Sequence, residues 1–139
     1  MPVQSTALPY RFDGDRCEVL LVTSRRRGKW ILPKGKIEKG ETAADRAAAE
    51  AYEEAGVIGI ASATPLLAAE LIDSSRPKVH PLAVEQELET WPEMYMRQRA
   101  WFTLTEAREI LRDELLRRAL TAFAAELPGL RRAQENGDA

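Results

Sequence analysis

Cysteine and histidine are almost absent: the 139-residue chain holds one of each, Cys17 and His80. A lone cysteine excludes an internal disulfide. The pair cannot build a Cys/His zinc cluster, so any metal must be held mainly by oxygen. Apolar runs such as Val19 to Val22 fall far short of the roughly 20 residues that a membrane helix needs. With no basic-then-apolar stretch near Met1, the expectation is a cytoplasmic protein without membrane contact. Repeats, low-complexity tracts and internal linkers are missing too. Residues 1–130 therefore read as one domain, and the polar stretch 131–139 (RRAQENGDA) as a flexible tail. At this length a core can bury roughly two-thirds of the unfolded surface without disulfides.

What the chain has is segregated charge. The formal net charge is only −2. Yet Arg25, Arg26, Arg27, Lys29, Lys34, Lys36 and Lys39 crowd one stretch, and Glu41, Asp45, Glu50, Glu53 and Glu54 follow directly. A basic loop running into an acidic helix suits a place where phosphate and a hard cation meet, although two adjoining solvated faces would read the same way.

The coarse pattern supplies the scaffold. Arg16 to Thr23 (RCEVLLVT) predicts a central strand, apolar on both faces, in a hairpin with an earlier strand at about Thr6 to Phe12 across Asp13-Gly14-Asp15. Thr42 with Asp45 forms a capping box, and Gly56 offers a left-handed stop. The alanine-rich stretch between them predicts a helix. Extended structure is expected over Val57 to Ile72, interrupted at Pro65, and over Val79 to Leu88, where Pro81 suggests an edge or a bulge. Trp101 to Leu104 should be a short strand leading to a helix capped at Thr105. A last helix from about Glu114 to Glu126 buries Leu116, Ala119, Leu120, Phe123 and Leu127. This order implies an α/β protein with a mixed sheet and helices on both sides.

Glu50, Glu53 and Glu54 stand at i, i+3 and i+4, on one face of a helix. At about 5 Å and an effective dielectric of about 20, each pair of like charges costs roughly 3 kcal/mol before screening. Either water screens an exposed acidic face, or a divalent cation with oxygen ligands relieves the repulsion. The wider pattern decides for the cation. The stretch GKIEKGETAADRAAAEAYEEAGV, from Gly35 through Glu41, Glu50, Glu53, Glu54 and Gly56 to Val57, resembles the Nudix box, G-x5-E-x7-R-E-U-x-E-E-x-G-U with U apolar. Ala49 stands where the box has arginine, and Arg46, four residues before Glu50, is a candidate to share its orienting role. The flanking VLLVTSRRRGKWILPKG and RQRAWFTLTEA resemble the Nudix hydrolases that cleave diphosphoinositol polyphosphates and diadenosine polyphosphates.

The resemblance implies an α/β/α sandwich and Mg²⁺- or Mn²⁺-dependent hydrolysis of a phosphoanhydride in a small phosphorylated substrate. Carried over by position, it makes Glu50, Glu54 and Gly35 the metal site and Glu53 a ligand or the general base, with Glu85, Glu87, Glu89 and Glu93 as rival bases. Arg11, Lys34, Arg76, Lys78, Arg97 and Arg99 become the cations facing the polyphosphate, with Arg25 to Arg27 at the rim. Glu41 is expected to brace its loop, and His80 and Cys17 to be structural. Trp91, Tyr95 and Trp101 are core aromatics or stacking platforms for a base. Two other functions stay open: hydrolysis of nucleoside diphosphate derivatives, and a catalytically silent ligand-binding Nudix domain. No RNA-binding motif is present, so no nucleic-acid partner is expected.

Overall fold

The computed structural model describes residues 3–67 and 77–137. β1 (Gln4–Asp13) and β2 (Arg16–Thr23) form the expected hairpin, closed at Gly14 with φ 63°, a left-handed conformation open to a residue without Cβ. The first residues of β1 pair with β4 (Lys34–Lys36), and β6 (Lys78–Glu87) runs parallel to it from Ser5 to Tyr10. β3 (Trp30–Ile31) and β7 (Arg99–Thr103) join β2 antiparallel, and β5 (Val57–Ala61) lies beyond β6. One parallel pairing among antiparallel ones makes the sheet mixed.

Side chains alternate across this sheet, so each face builds its own core. On one face Ala7, Leu20, Val22, Val57 and Leu82 meet Ala47, Ala51 and Ala55 of the mid-chain helix. Alanine at every fourth position lets that helix lie close to the strands. On the other face Leu8, Tyr10, Val19 and Leu21 pack on α2 (Leu104–Ile110) and α3 (Glu114–Gly137) through Ala107, Leu111, Ala119, Leu120 and Phe123. Helices on both faces make an α/β/α sandwich. Among the described residues no helix is long and apolar enough to cross a membrane.

Several elements depart from expectation. The last segment is helical through Gly137, past Pro128 and past Arg131, where the polar tail was expected to begin. Arg131 ties it down through Asp15 at 3.1 Å and by lying 5.1 Å from the Phe12 ring. α2 is capped by Thr103, not Thr105. Thr103 and Glu106 exchange backbone and side-chain hydrogen bonds, whereas the residue three after Thr105 is Arg108, which cannot accept. Pro81 is neither at an edge nor at the bulge, which falls between Ile58 and Gly59. A residue's N–H and C=O point to the same side of a strand, and Pro81 faces β5 just past its last residue, Ala61, where its carbonyl accepts from Ser62 N at 2.8 Å. The donor that proline lacks is replaced by His80 Nδ1, 2.7 Å from Ser62 O. Extended structure beyond Ala61 gives way to turns by Leu67, and the expected continuation to Ile72 lies outside the described residues.

Candidate active site

Thr42 and Asp45 start α1 (Ala43–Glu50) with the expected capping box, and Gly56 ends the helical run at φ 68°. Between them the helix changes type: Ala51–Ala55 is a π turn, with Gly56 N–H directed at the carbonyls of Ala51 and Tyr52. The wider turn brings i and i+4 nearly into line and swings i+3 aside. Glu50 and Glu54 are accordingly buried, at 8% and 6% exposure, while Glu53 is half-buried. The uniform α-helical face expected for all three carboxylates is thus split into a buried pair and a more open third member.

Gly35 shows how closely the loop approaches. A Cβ there would collide with the Glu50 carboxylate, so only glycine lets β4 lie against the helix. The amide of Lys34 donates to Glu54 Oε1 at 3.3 Å. Arg46 binds both Glu41 oxygens, at 2.9 and 2.7 Å, and reaches Glu50 Oε1 at 3.1 Å. Glu41 also accepts from Glu38 N at 2.7 Å and so braces the loop. Arg97 sits 3.4 Å from Glu54 and 3.0 Å from Glu93, and donates to Thr23 O at 3.0 Å.

These cations do not fully offset the buried charge. Burial, opposed by Arg97 and reinforced by neighbouring Glu50, pushes the Glu54 carboxyl up to about 8. Burial and Glu50 also raise Glu53. Among the described residues no three metal-ligating side chains are already gathered round one point. The donor chemistry nevertheless fits a hard divalent cation: two apposed buried carboxylates short of positive charge, beside a backbone edge that a Cβ would block.

Both the sequence and the fold are shared with known proteins. A family model described as NUDIX domain matches residues 2–123. The chain belongs to the NUDIX family. It is 36% identical over 132 residues to Nudix hydrolase 17, mitochondrial, of Arabidopsis thaliana, covering 86% of this chain and 72% of that one. It is 37% identical over 97 residues to diphosphoinositol polyphosphate phosphohydrolase 2 of Rattus norvegicus, covering 68% of this chain and 54% of that protein. A crystal structure of a C. elegans Ap4A hydrolase binary complex shares the fold, with a TM-score of 0.65 at 20% identity over 93% of this chain and 99% of the other.

In this Nudix chain the cations nominated from sequence divide into two groups. Lys34 lines a cavity of about 490 Å³ on the α2/α3 face of the sheet. Lys78 opens β6 beside Ser5, where its charge helps to keep His80 neutral. The other described ones have partners within the protein. Arg11 pairs with Glu18 at 2.8 Å and lies 4.1 Å from the Trp101 ring centroid. Arg97 is held between Glu54 and Glu93. Arg99 donates to the carbonyls of Ala55, Gly56 and Leu88 and lies 3.8 Å from the Trp91 centroid. Carboxylates and carbonyls thus engage Arg97 and Arg99 within the protein, whereas the Arg11 side chain is 40% exposed. Arg76 lies outside the described residues.

The aromatics divide similarly. Trp91 donates to Glu54 O at 3.1 Å and Trp101 to Glu87 at 3.2 Å, whereas Tyr95 is 93% exposed. Of the rival bases, Glu93 shares Arg97 with Glu54, and its backbone N–H donates to Glu53 O at 3.0 Å; Glu87 is engaged with Trp101 and Arg11. Sequence reading placed Lys29 in the basic stretch but missed the cavity's other polar members, Gln4, Thr6, Arg112 and Asp113. Gln4 and Thr6 could have been found from alternation along β1. Arg112 could not, because it enters from the α2–α3 connection.

Proposed function

We propose that the chain is a Mg²⁺- or Mn²⁺-dependent hydrolase of phosphoanhydride bonds in polyphosphorylated small molecules, diadenosine polyphosphates or diphosphoinositol polyphosphates. The observation that carries this reading is the buried Glu50–Glu54 pair set against the Lys34–Gly35 edge, with Glu53 more open beside it. Glu50, Glu54 and the Gly35 backbone would hold the metal. When bound, the ion offsets charge on the phosphate oxygens and makes water a better nucleophile.

Glu53 takes the proton as water oxygen bonds to phosphorus and the bridging P–O bond breaks. The proton ends on its carboxylate. Lys34, whose amide meets Glu54, also lines the cavity on the opposite, α2/α3 face of the sheet, where Lys29 and Arg112 add positive charge and Asp113 negative. A diphosphoinositol polyphosphate phosphohydrolase is among the similar sequences, and an Ap4A hydrolase shares the fold.

The test is an assay of diadenosine polyphosphates, diphosphoinositol phosphates, nucleoside diphosphate sugars and deoxynucleoside triphosphates, with and without Mg²⁺. Metal-dependent turnover fastest on a polyphosphate is expected. Preference for a nucleoside diphosphate sugar, or turnover indifferent to metal, would overturn the reading.

A further inference from the structure

A helix that ends buried leaves its last carbonyls without donors, and a π turn is a poorer repeat than an α turn, so something outside must hold it. Here the segment from Leu88 to Arg99 does so. Glu93 N–H donates to Glu53 O at 3.0 Å, Trp91 Nε1 to Glu54 O at 3.1 Å, and Arg99 Nη1 to Ala55 O at 2.9 Å and Gly56 O at 3.3 Å. Four successive carbonyls thus find donors in one segment. The Arg99 guanidinium stacks on Trp91, and its other arm takes Leu88 O at 2.5 Å, closing the segment on itself. The fit is tight: a Cβ on Gly56 would stand 2.6 Å from both Arg99 Nη1 and the Trp91 ring. The positive fork also faces the negative end of the helix dipole.

We infer that Trp91 and Arg99 are positioning residues for the catalytic glutamates. They clamp the helix terminus in its π form, which keeps Glu54 in line with Glu50 and Glu53 turned outward. Relaxed to an α turn, the same residues would rotate Glu53 toward the buried face and move Glu54 off the Lys34 amide. This role rests on Glu53 and Glu54 being the working carboxylates proposed above. It differs in kind from binding substrate, although tryptophan and arginine are the residue types that would stack on a base or hold a phosphate.

The test uses Trp91→Phe, which keeps a ring under Arg99 but removes the indole donor, and Arg99→Lys, which removes the fork. Three readouts are taken: amide exchange at Glu54 to Gly56, Mn²⁺ binding to the protein alone by electron paramagnetic resonance, and kcat and KM on a diadenosine polyphosphate. Expected are exchange faster by roughly three- to tenfold at the helix end with the Val19–Val22 core unchanged, weaker Mn²⁺ binding, and kcat lower by about tenfold with KM within twofold. A raised KM with unchanged kcat and exchange would overturn the clamp in favour of substrate contact, and no change in any readout would remove it altogether. If wild-type protein cleaves no polyphosphate, the proposed function fails; exchange and Mn²⁺ binding still decide the clamp.

Discussion

Glu54 meets two opposed demands: it is buried like a core residue, yet its proposed work needs a charge. Replacing it by Gln keeps the shape and the acceptor for Lys34 N. Activity should fall at least ~10²-fold in a steady-state assay. The same change should leave metal-free stability nearly unaltered below pH 4.5, where the carboxyl is neutral in the folded and the unfolded chain alike, and raise it increasingly from there to about pH 8; thermal unfolding at pH 4 and pH 9 checks this. Arg46 is the second residue with a defined task. The box arginine is missing at Ala49, and Arg46 ties Glu50 to Glu41 from one turn earlier. Arg46→Ala should cost about 10- to 100-fold in metal affinity or turnover, the scale of losing a ligand's orienting partner. Adding Ala49→Arg should recover part of that loss, since position 49 lies four before Glu53. Kinetics and Mn²⁺ titration of the single and double variants decide it, and no recovery would show that only the tie through Glu41 matters.

At the scale of single elements, β6 carries a compensation between neighbours. His80 donates through Nδ1 to Ser62 O, so its other nitrogen, Nε2, is the unprotonated one and has no partner among the described residues. His80→Phe should destabilise by about 0.5–1.5 kcal/mol through the lost hydrogen bond, and Pro81→Ala in the same chain should restore part of it by returning a backbone donor. Urea denaturation of the three variants measures both. Burial also pulls the His80 pKa below its ordinary 6.5, so the unfolded chain binds more protons below that pH. Stability from this residue is complete above pH 6.5 and is lost as pH falls. Glu54 acts in the opposite sense: its folded value is raised, so its contribution is complete below 4.5 and is lost as pH rises through about 8. The metal-free protein should therefore be most stable at mildly acidic pH, with His80→Phe flattening the acid limb and Glu54→Gln the alkaline one.

Over the whole molecule, charge is arranged by position more than by sum. Arg25, Arg26 and Arg27 form an exposed turn beside Thr23, whose carbonyl holds Arg97, so a basic rim adjoins the acidic centre. Such a rim speeds the approach of anions and is screened beyond about 8 Å at physiological salt. Changing all three to Ser should lower kcat/KM for a polyphosphate by roughly tenfold at low salt and much less at high salt, with kcat unchanged. Equal loss at both salt concentrations would assign these arginines to direct contact.

Much of this organisation is legible without coordinates, because it is local or periodic. The Thr42–Asp45 box, the Gly56 stop, the hairpin at Gly14 and the two-faced apolar β2 each follow from short-range chemistry, and the glutamate spacing singles out the proposed site. Long-range partners are not legible. Whether Arg97 or Arg99 meets phosphate or a carbonyl depends on where β7 lands beside the helix end, residues 43 and 44 positions apart in the chain. The same holds for the π turn, which the alanine-rich stretch does not encode and which Trp91 and Arg99 fit from outside. Residue spacing carries the chemistry that neighbours in the chain perform together; tertiary packing decides which buried charge or carbonyl each long side chain must satisfy, because an unsatisfied polar group in the interior costs more than most surface contacts return.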